Sequence, residues 1–375
     1  MRLAGKRIAL LSSWLSPRNG GVWTAVLAQA AMLRSAGATP VLVGLADLAG
    51  RDDEACDFEC LRVPVIGPES IGFAPRLTRV LHEANFDLLH LHGIWHYPSL
   101  AAAKWAEETG KPYLVSPHGM LDPWIVRRNR WKKHLGELAF ERRSWAAANA
   151  FHALTEKEAE DIGLHALDKP RCVIPNASPP ANAGVGPMPL PTLLYLGRLH
   201  AKKNLAALID GWAKAVKLGN LPKGAQLVIA GWGTDGETDA LEKAIAGNAS
   251  IRFVGTVEGA AKRDLLATSR AVILPSLSEG LPMVVLEAWA AGRPVLMSRH
   301  CHLPQGFATG AAVDCGTEPA DIGRALTAAF GWEEQEWQER GEAALALARG
   351  EFAAETVQEE WVEVYRTLLG GGAQS

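Results

Sequence analysis

Long hydrophobic runs are missing from this 375-residue sequence. No stretch of about 20 apolar residues occurs, so no transmembrane helix is expected. Cysteine is sparse as well. Cys56, Cys60, Cys172, Cys301 and Cys315 are odd in number and thinly spread, which argues against a disulfide framework and for a reducing compartment. Cys56 and Cys60 could form half a metal site, but no second cysteine pair at ligand spacing completes it. Nor is there an excess of one charge. The 38 Lys and Arg against 41 Asp and Glu leave a net charge of −3, which gives no general reason to expect nucleic acid. What remains is 48% hydrophobic residues, the composition of a globular chain with real cores, and a length that suits two or three domains.

At the N-terminus, Arg2, Lys6 and Arg7 precede the apolar run 8–15, a pattern faintly like a secretion signal. The run is short and Pro17, Asn19, Gly20 and Gly21 follow it, so a first buried strand explains it better.

Apolar runs then alternate with helical patterns. Strands are expected near 7–13, 40–45, 61–65, 87–92, 113–117, 150–154 and 172–175, with helices near 22–36, 74–84, 98–109, 124–148 and 156–164. Thr155 and Glu158 have the spacing of a capping box opening the last of these. Six prolines crowd 175–191, which reads as an interdomain linker. The alternation then restarts, with strands near 192–197, 226–230, 251–254, 271–275 and 294–298. The helices expected with them lie near 203–217, 237–247, 259–269, 283–291, 319–330, 333–349 and 354–369. Two parallel α/β sheets are implied, and such sheets bind ligands at the C-terminal ends of their strands.

Several of those strand ends carry suggestive residues. After the apolar run 271–275 comes Ser278-Glu279-Gly280-Leu281-Pro282-Met283-Val284-Val285-Leu286-Glu287. Two acids eight apart mean little alone, since this composition produces about four or five such pairs by chance. The context adds more: Gly280 and Pro282 make a turn, Met283 begins a helix, and the N–H groups of a helix start can hold a diphosphate. Two ordinary surface acids remain the alternative on spacing alone. After the run 193–196, Gly197-Arg198 leads to Lys203 at another helix start, where two cations suit a diphosphate; a surface basic cluster is the bland alternative. Gly231-Trp232-Gly233-Thr234-Asp235-Gly236 matches a dinucleotide fingerprint, but no acid stands at a strand end about 20 residues on. In the first half, Asn19-Gly20-Gly21 follows the first strand, and the glycines would let a ligand approach the backbone. His90, His92 and His96 end another strand, with His90 and His92 on one face; metal ligation is the weaker reading. Ser116-Pro117-His118-Gly119 ends the next. Finally, Trp124–Lys133 carries the cations Arg127, Arg128, Arg130, Lys132 and Lys133 together with Trp124 and Trp131. A solvated helix face and a surface for anionic lipid or a phosphate-bearing acceptor are both open.

Together these segments resemble the retaining glycosyltransferases of the GT-B fold, glycosyltransferase family 4, also called the group 1 transferases. The likeness runs from Gly20-Gly21 to the C-terminal helix. It implies two Rossmann-like domains facing across a cleft: an acceptor-binding domain, 1–177, onto which 351–375 packs back, and a nucleotide-sugar-binding domain, 190–350. The segment 278–287 resembles the family's Glu-seven-Glu motif, so Glu279 would meet donor-sugar hydroxyls and Glu287 the ribose. Leu281-Pro282 stands where many members have Phe-Gly. Arg198 and Lys203 match phosphate-binding positions. Gly20, Gly21, Gly231, Gly233, Gly280, Leu281, Pro282 and Met283 fall in the donor loops. His92 falls on the acceptor side, and His118 in the active site near the transferred sugar.

The resemblance further implies a metal-independent enzyme with no cofactor beyond its nucleotide-sugar co-substrate, UDP-sugars favoured over GDP-sugars. The absence of Asp-x-Asp also counts against the metal-using transferase fold. The acceptor would be a glycan or a polyprenyl or other lipid-linked hydroxyl in bacterial polysaccharide or glycoconjugate synthesis. The setting would be the cytoplasm or the inner face of its membrane. A nucleotide-sugar 2-epimerase and a non-catalytic sugar-binding subunit are the alternatives.

Overall fold

The computed structural model describes residues 3–47, 56–127, 130–166 and 168–371. The chain forms two compact units, one reaching to Pro175 and resuming at Gln358, the other running Asn176–Val357.

The first unit is built on β1 (Arg7–Trp14), β2 (Thr39–Leu45), β3 (Glu59–Val63), β4 (Leu88–His92), β5 (Tyr113–Ser116), β6 (Ala150–Ala153) and β7 (Arg171–Val173). They pair in the order β3-β2-β1-β4-β5-β6-β7, all parallel. The second unit has β8 (Thr192–Leu196), β9 (Gln226–Ala230), β10 (Ile251–Phe253), β11 (Ala271–Leu274), β12 (Val295–Met297) and β13 (Ala312–Asp314). Their order, β10-β9-β8-β11-β12-β13, is parallel as well. The near-continuous apolar runs are explained by this arrangement, because a parallel sheet covered on both faces buries both sides of its central strands. Ile8 to Leu11 and Ala271 to Leu274 are fully buried.

Both units are therefore doubly wound, Rossmann-like α/β structures. Each has a point where strand order reverses, at β1/β4 and at β8/β11. Ligands bind such sheets beyond the carboxyl ends of those strands. The candidate residues follow β1, β4, β5, β8, β9 and β11.

Three local expectations differ from what is observed. The helix expected over 124–148 is helical at its described residues Pro123–Arg127 and 130–147, but its regular period is interrupted by a π-helical turn, Glu137–Glu141, between Arg130–Gly136 and Arg142–Ala147. The wide turn carries one extra residue and brings Glu141 inward, fully buried. Strand β13 and the helix Pro304–Thr309 were not anticipated, being too short for a periodic signal. The capping box at Thr155 is only half formed. Thr155 Oγ1 accepts from the Glu158 N–H at 3.2 Å, but the Glu158 carboxylate goes elsewhere.

Candidate active site

In the second unit the loops after β8, β11 and β13 are tied by Asn204. It adopts a left-handed backbone (φ 60°), and its amide donates to the carbonyls of Pro275 at 3.2 Å and Thr317 at 2.7 Å. Just before it, Lys203 reaches Glu279 Oε1 at 2.5 Å, and Ser276 Oγ donates to the same oxygen at 2.6 Å. The pair is largely buried, with side chains 13% and 6% exposed. Removing one partner would leave an uncompensated buried charge. Glu279 is also fixed through its own N–H, which donates to the His300 carbonyl at 3.1 Å. Arg198 lies exposed at the end of β8, its carbonyl accepting from the Tyr195 hydroxyl at 2.9 Å. Burial raises the Tyr195 phenol, with Glu279 adding to the shift, so it stays a hydroxyl.

Glu287 sits on the helix Met283–Ala290 and is paired with Lys262 at 2.6 Å. No local pattern announced Lys262. Leu281 and Pro282 are buried, while Gly280 and Met283 on either side are half-buried. The glycines of the β9 loop have packing reasons: a Cβ on Gly231 would lie 1.8 Å from the Gly197 carbonyl oxygen, and one on Gly233 would lie 2.9 Å from Leu199 Cβ. Gly20 and Gly21 differ, since a Cβ on either meets nothing within 4 Å. Their loop fronts open space, and Gly20 holds a backbone (φ 56°, ψ −131°) that favours glycine.

In the first unit the site residues are histidines. His118 Nε2 lies 3.0 Å from His92 Nδ1, their rings stacked at 5.2 Å. His92 Nε2 is buried without a hydrogen-bond partner among the described residues. Burial pushes His92 far below the ordinary imidazole range and His118 down to about 3, so both are neutral near pH 7.

His90 belongs to a different system. His152 Nε2 faces the Ile174 carbonyl at 2.8 Å, so in the neutral ring that nitrogen carries the proton and Nδ1 accepts. Ser116 then donates to His152 Nδ1 (2.7 Å) and accepts from His90 Nε2 (2.6 Å). That leaves His90 Nδ1 to accept from the Tyr365 hydroxyl (2.7 Å), which accepts from Gln29 Nε2 (2.9 Å). One carbonyl thus fixes the direction of the whole chain of hydrogen bonds. It fastens the C-terminal helix, Ala354–Gly371, to β4, β5 and β6. Both His90 nitrogens are occupied, and among the described residues no group of three His, Cys, Asp or Glu is placed to hold a metal ion.

The loops bearing His92 and His118 are held from behind by buried acids. Glu141 accepts from the Trp95 N–H at 2.6 Å. Glu158 accepts from the Gly119 N–H at 2.6 Å and the Leu154 N–H at 2.9 Å. In the basic stretch, Arg128 lies outside the described residues. Lys133 turns inward, donating to the Ile125 carbonyl and standing 5.7 Å from the Trp95 ring; it is not part of a solvated face. No helix among the described residues is long and apolar enough to cross a membrane.

Two family models match. The glycosyl transferase 4-like domain matches residues 20–177 and the glycosyl transferases group 1 model residues 190–330. An uncharacterized glycosyltransferase of Methanocaldococcus jannaschii is 35% identical over 28% of this chain, a segment spanning about a quarter (26%) of that protein's length. EpsF of Bacillus subtilis, named as a glycosyltransferase, is 28% identical over 79% of this chain and 76% of its own. Among solved structures, a sucrose-phosphate synthase of Thermosynechococcus elongatus superposes with TM-score 0.78 at 16% identity, covering 98% of this chain and 100% of that one. HepE of Anabaena, in complex with UDP-glucose, gives 0.71 at 16%, covering 96% and 99%. These likenesses show the GT-B fold of two Rossmann-like units.

Proposed function

The chain belongs to the group 1 glycosyl transferases, and from that premise we propose that it moves a hexose-type sugar from a nucleoside diphosphate sugar to a hydroxyl of a glycan or lipid-linked acceptor. The transfer retains the anomeric configuration and uses no metal. The observation that carries this reading is the buried Lys203–Glu279–Ser276 cluster at the strand-order reversal of the second unit, with Arg198 on the same strand end. An ammonium with three donors can keep Glu279 and still meet a phosphate oxygen. Arg198 and the helix start at Met283 stabilise the growing charge of the departing diphosphate. Glu279 receives donor-sugar hydroxyls, and Glu287, oriented by Lys262, receives the ribose. The neutral His118 ring serves as a hydrogen-bonding wall for the sugar rather than as a cation. The departing diphosphate takes the acceptor's proton.

UDP-sugars are the first donors to try, because HepE, of the same fold, was solved in complex with UDP-glucose. Purified protein should be stabilised by one of UDP, GDP or ADP and should hydrolyse or transfer from the matching sugar. Lys203→Ala and Glu279→Ala should each lose at least about 100-fold in kcat/KM, the scale of losing a transition-state donor. Full activity in both folded variants would remove the site assignment. A rearranged sugar formed without acceptor would replace transfer by epimerisation.

For the acceptor side, we propose contact with an anionic membrane through the stretch Trp124–Lys133 on a cytoplasmic face. Trp131, Leu135 and Leu138, spaced at helical turns, are exposed at 65%, 56% and 50%. Trp131→Ser with Leu135→Ser should abolish sedimentation with phosphatidylglycerol vesicles; unchanged sedimentation would rule this surface out.

A further inference from the structure

Glu158 does a job that its local sequence does not require. It is the third residue of the helix Glu156–Gly163, where the side chain is expected to return to the Thr155 N–H. Instead the carboxylate is buried, 4% exposed, and spans two backbone N–H groups, Leu154 on its own segment and Gly119 some 39 residues away. Burying a carboxylate costs free energy unless its oxygens are satisfied. A capping acid avoids that cost by staying at the surface.

The distant partner explains the burial. Gly119 follows His118, and the two residues hold consecutive left-handed conformations, φ 55° and 74°. A non-glycine residue persists there only when its surroundings over-determine it. The neighbouring constraints are modest: the Met120 N–H reaches the Pro117 carbonyl at 3.3 Å and the Asp122 N–H reaches the Gly119 carbonyl at 3.2 Å. The 2.6 Å bond from the Gly119 N–H to Glu158 is shorter and charge-assisted. Rotation of the His118–Gly119 peptide would break it and would carry the imidazole away from His92.

We propose that Glu158 is a positioning residue for His118, gripping the His118–Gly119 peptide from behind and thereby aiming the imidazole. The proposal rests on the reading of His118 as a group that meets the transferred sugar. Glu158→Gln is the informative change. The amide keeps one accepting oxygen and turns its NH2 toward the other N–H, so one of the two bonds is lost. The expected result is a loss of about 10- to 100-fold in kcat, the scale of an ångström-sized misplacement, with KM for the nucleotide sugar changed less than twofold. The His118 ring 15N signals should shift as well. Ile162→Val, which loosens the same helix elsewhere, should lower the melting temperature with kcat and the His118 signals unchanged. In a His118→Ala background, Glu158→Gln should cost nothing further.

Retention of kcat within twofold in Glu158→Gln would overturn the proposal. So would an equal loss in Ile162→Val, or an undiminished loss in the His118→Ala background. Should Glu158→Gln fail to fold, Glu158→Asp, which withdraws the carboxylate by one methylene, is expected to give the same signature; unmoved His118 signals there would overturn it equally. A wild-type protein that turns over no nucleotide sugar would sink the transferase reading instead. The His118 signals would still report whether Glu158 aims the ring.

Discussion

Thr155-Glu156-Lys157-Glu158 and Thr234-Asp235-Gly236-Glu237 are the same helix-start pattern placed in the two units, and they come to different ends. Each threonine accepts from the N–H three residues on, at 3.2 Å in both cases. At Thr234 the box closes, with the Glu237 carboxylate accepting from the Thr234 N–H at 2.8 Å at the surface. At Thr155 it stays open and the acid is buried against the His118 loop. The two carboxyls are displaced in opposite directions. Hydrogen bonding to the Thr234 N–H lowers Glu237, whereas burial raises Glu158 against the pull of its two N–H donors. A capping box is thus two separable instructions. The hydroxyl half is local and is obeyed in both places; the carboxylate half yields to whatever else in the fold needs an acceptor.

The strongest way to test that contrast is acid. The first unit holds His90, His92, His118 and His152 neutral, with burial pushing His118 down to about 3, His152 down to about 4 and the other two well below the ordinary value. A histidine with a depressed folded pKa takes up its proton more readily when unfolded. Its contribution is therefore fully present above about pH 6.5 and is lost as pH falls from there toward the folded pKa. Four such groups give at most about 5 kcal/mol per pH unit. Hydrogen exchange at pH 7, 6 and 5 should show the first unit opening before the second. The reverse order would mean that its neutral interior is not the weak point.

The smaller effects separate the two halves of the motif. Glu158→Ala leaves two buried N–H groups without acceptors and should cost about 2–3 kcal/mol in denaturant unfolding. Glu237→Ala should barely move the midpoint, because water can replace the lost acceptor. Thr155→Ala and Thr234→Ala should cost similar amounts, about 1 kcal/mol each. Equal losses for the two glutamates would erase the distinction; unequal losses for the two threonines would show that the hydroxyl half is not local either.

The legible part of the fold was everything carried by period and punctuation. Strand runs, the proline-rich link after Pro175 and the glycine turns placed most elements. They also put Arg198, Lys203, Glu279 and His118 on loops after strands. The π-turn Glu137–Glu141 inside the helical stretch expected over 124–148 was not legible, because such a turn leaves no mark in a hydrophobic pattern. Strand β13, three residues long, has no period to detect. His90 looked like a companion to His92 because alternation sets both on one face. Their rings do lie 4.0 Å apart, but their hydrogen bonds differ: His92 meets His118, while His90 is spent on Ser116 and Tyr365.

By itself the sequence determined where helices begin and which runs are apolar enough to be buried, because those follow from patterns within a few residues. Only the tertiary structure decided what each polar side chain does with its remaining hydrogen bonds. Lys203 meets Glu279 across 76 positions, Lys262 meets Glu287 across 25, and Glu158 meets Gly119 across 39. A buried charge takes the partner that the packed sheet brings to it, and no local spacing encodes that choice.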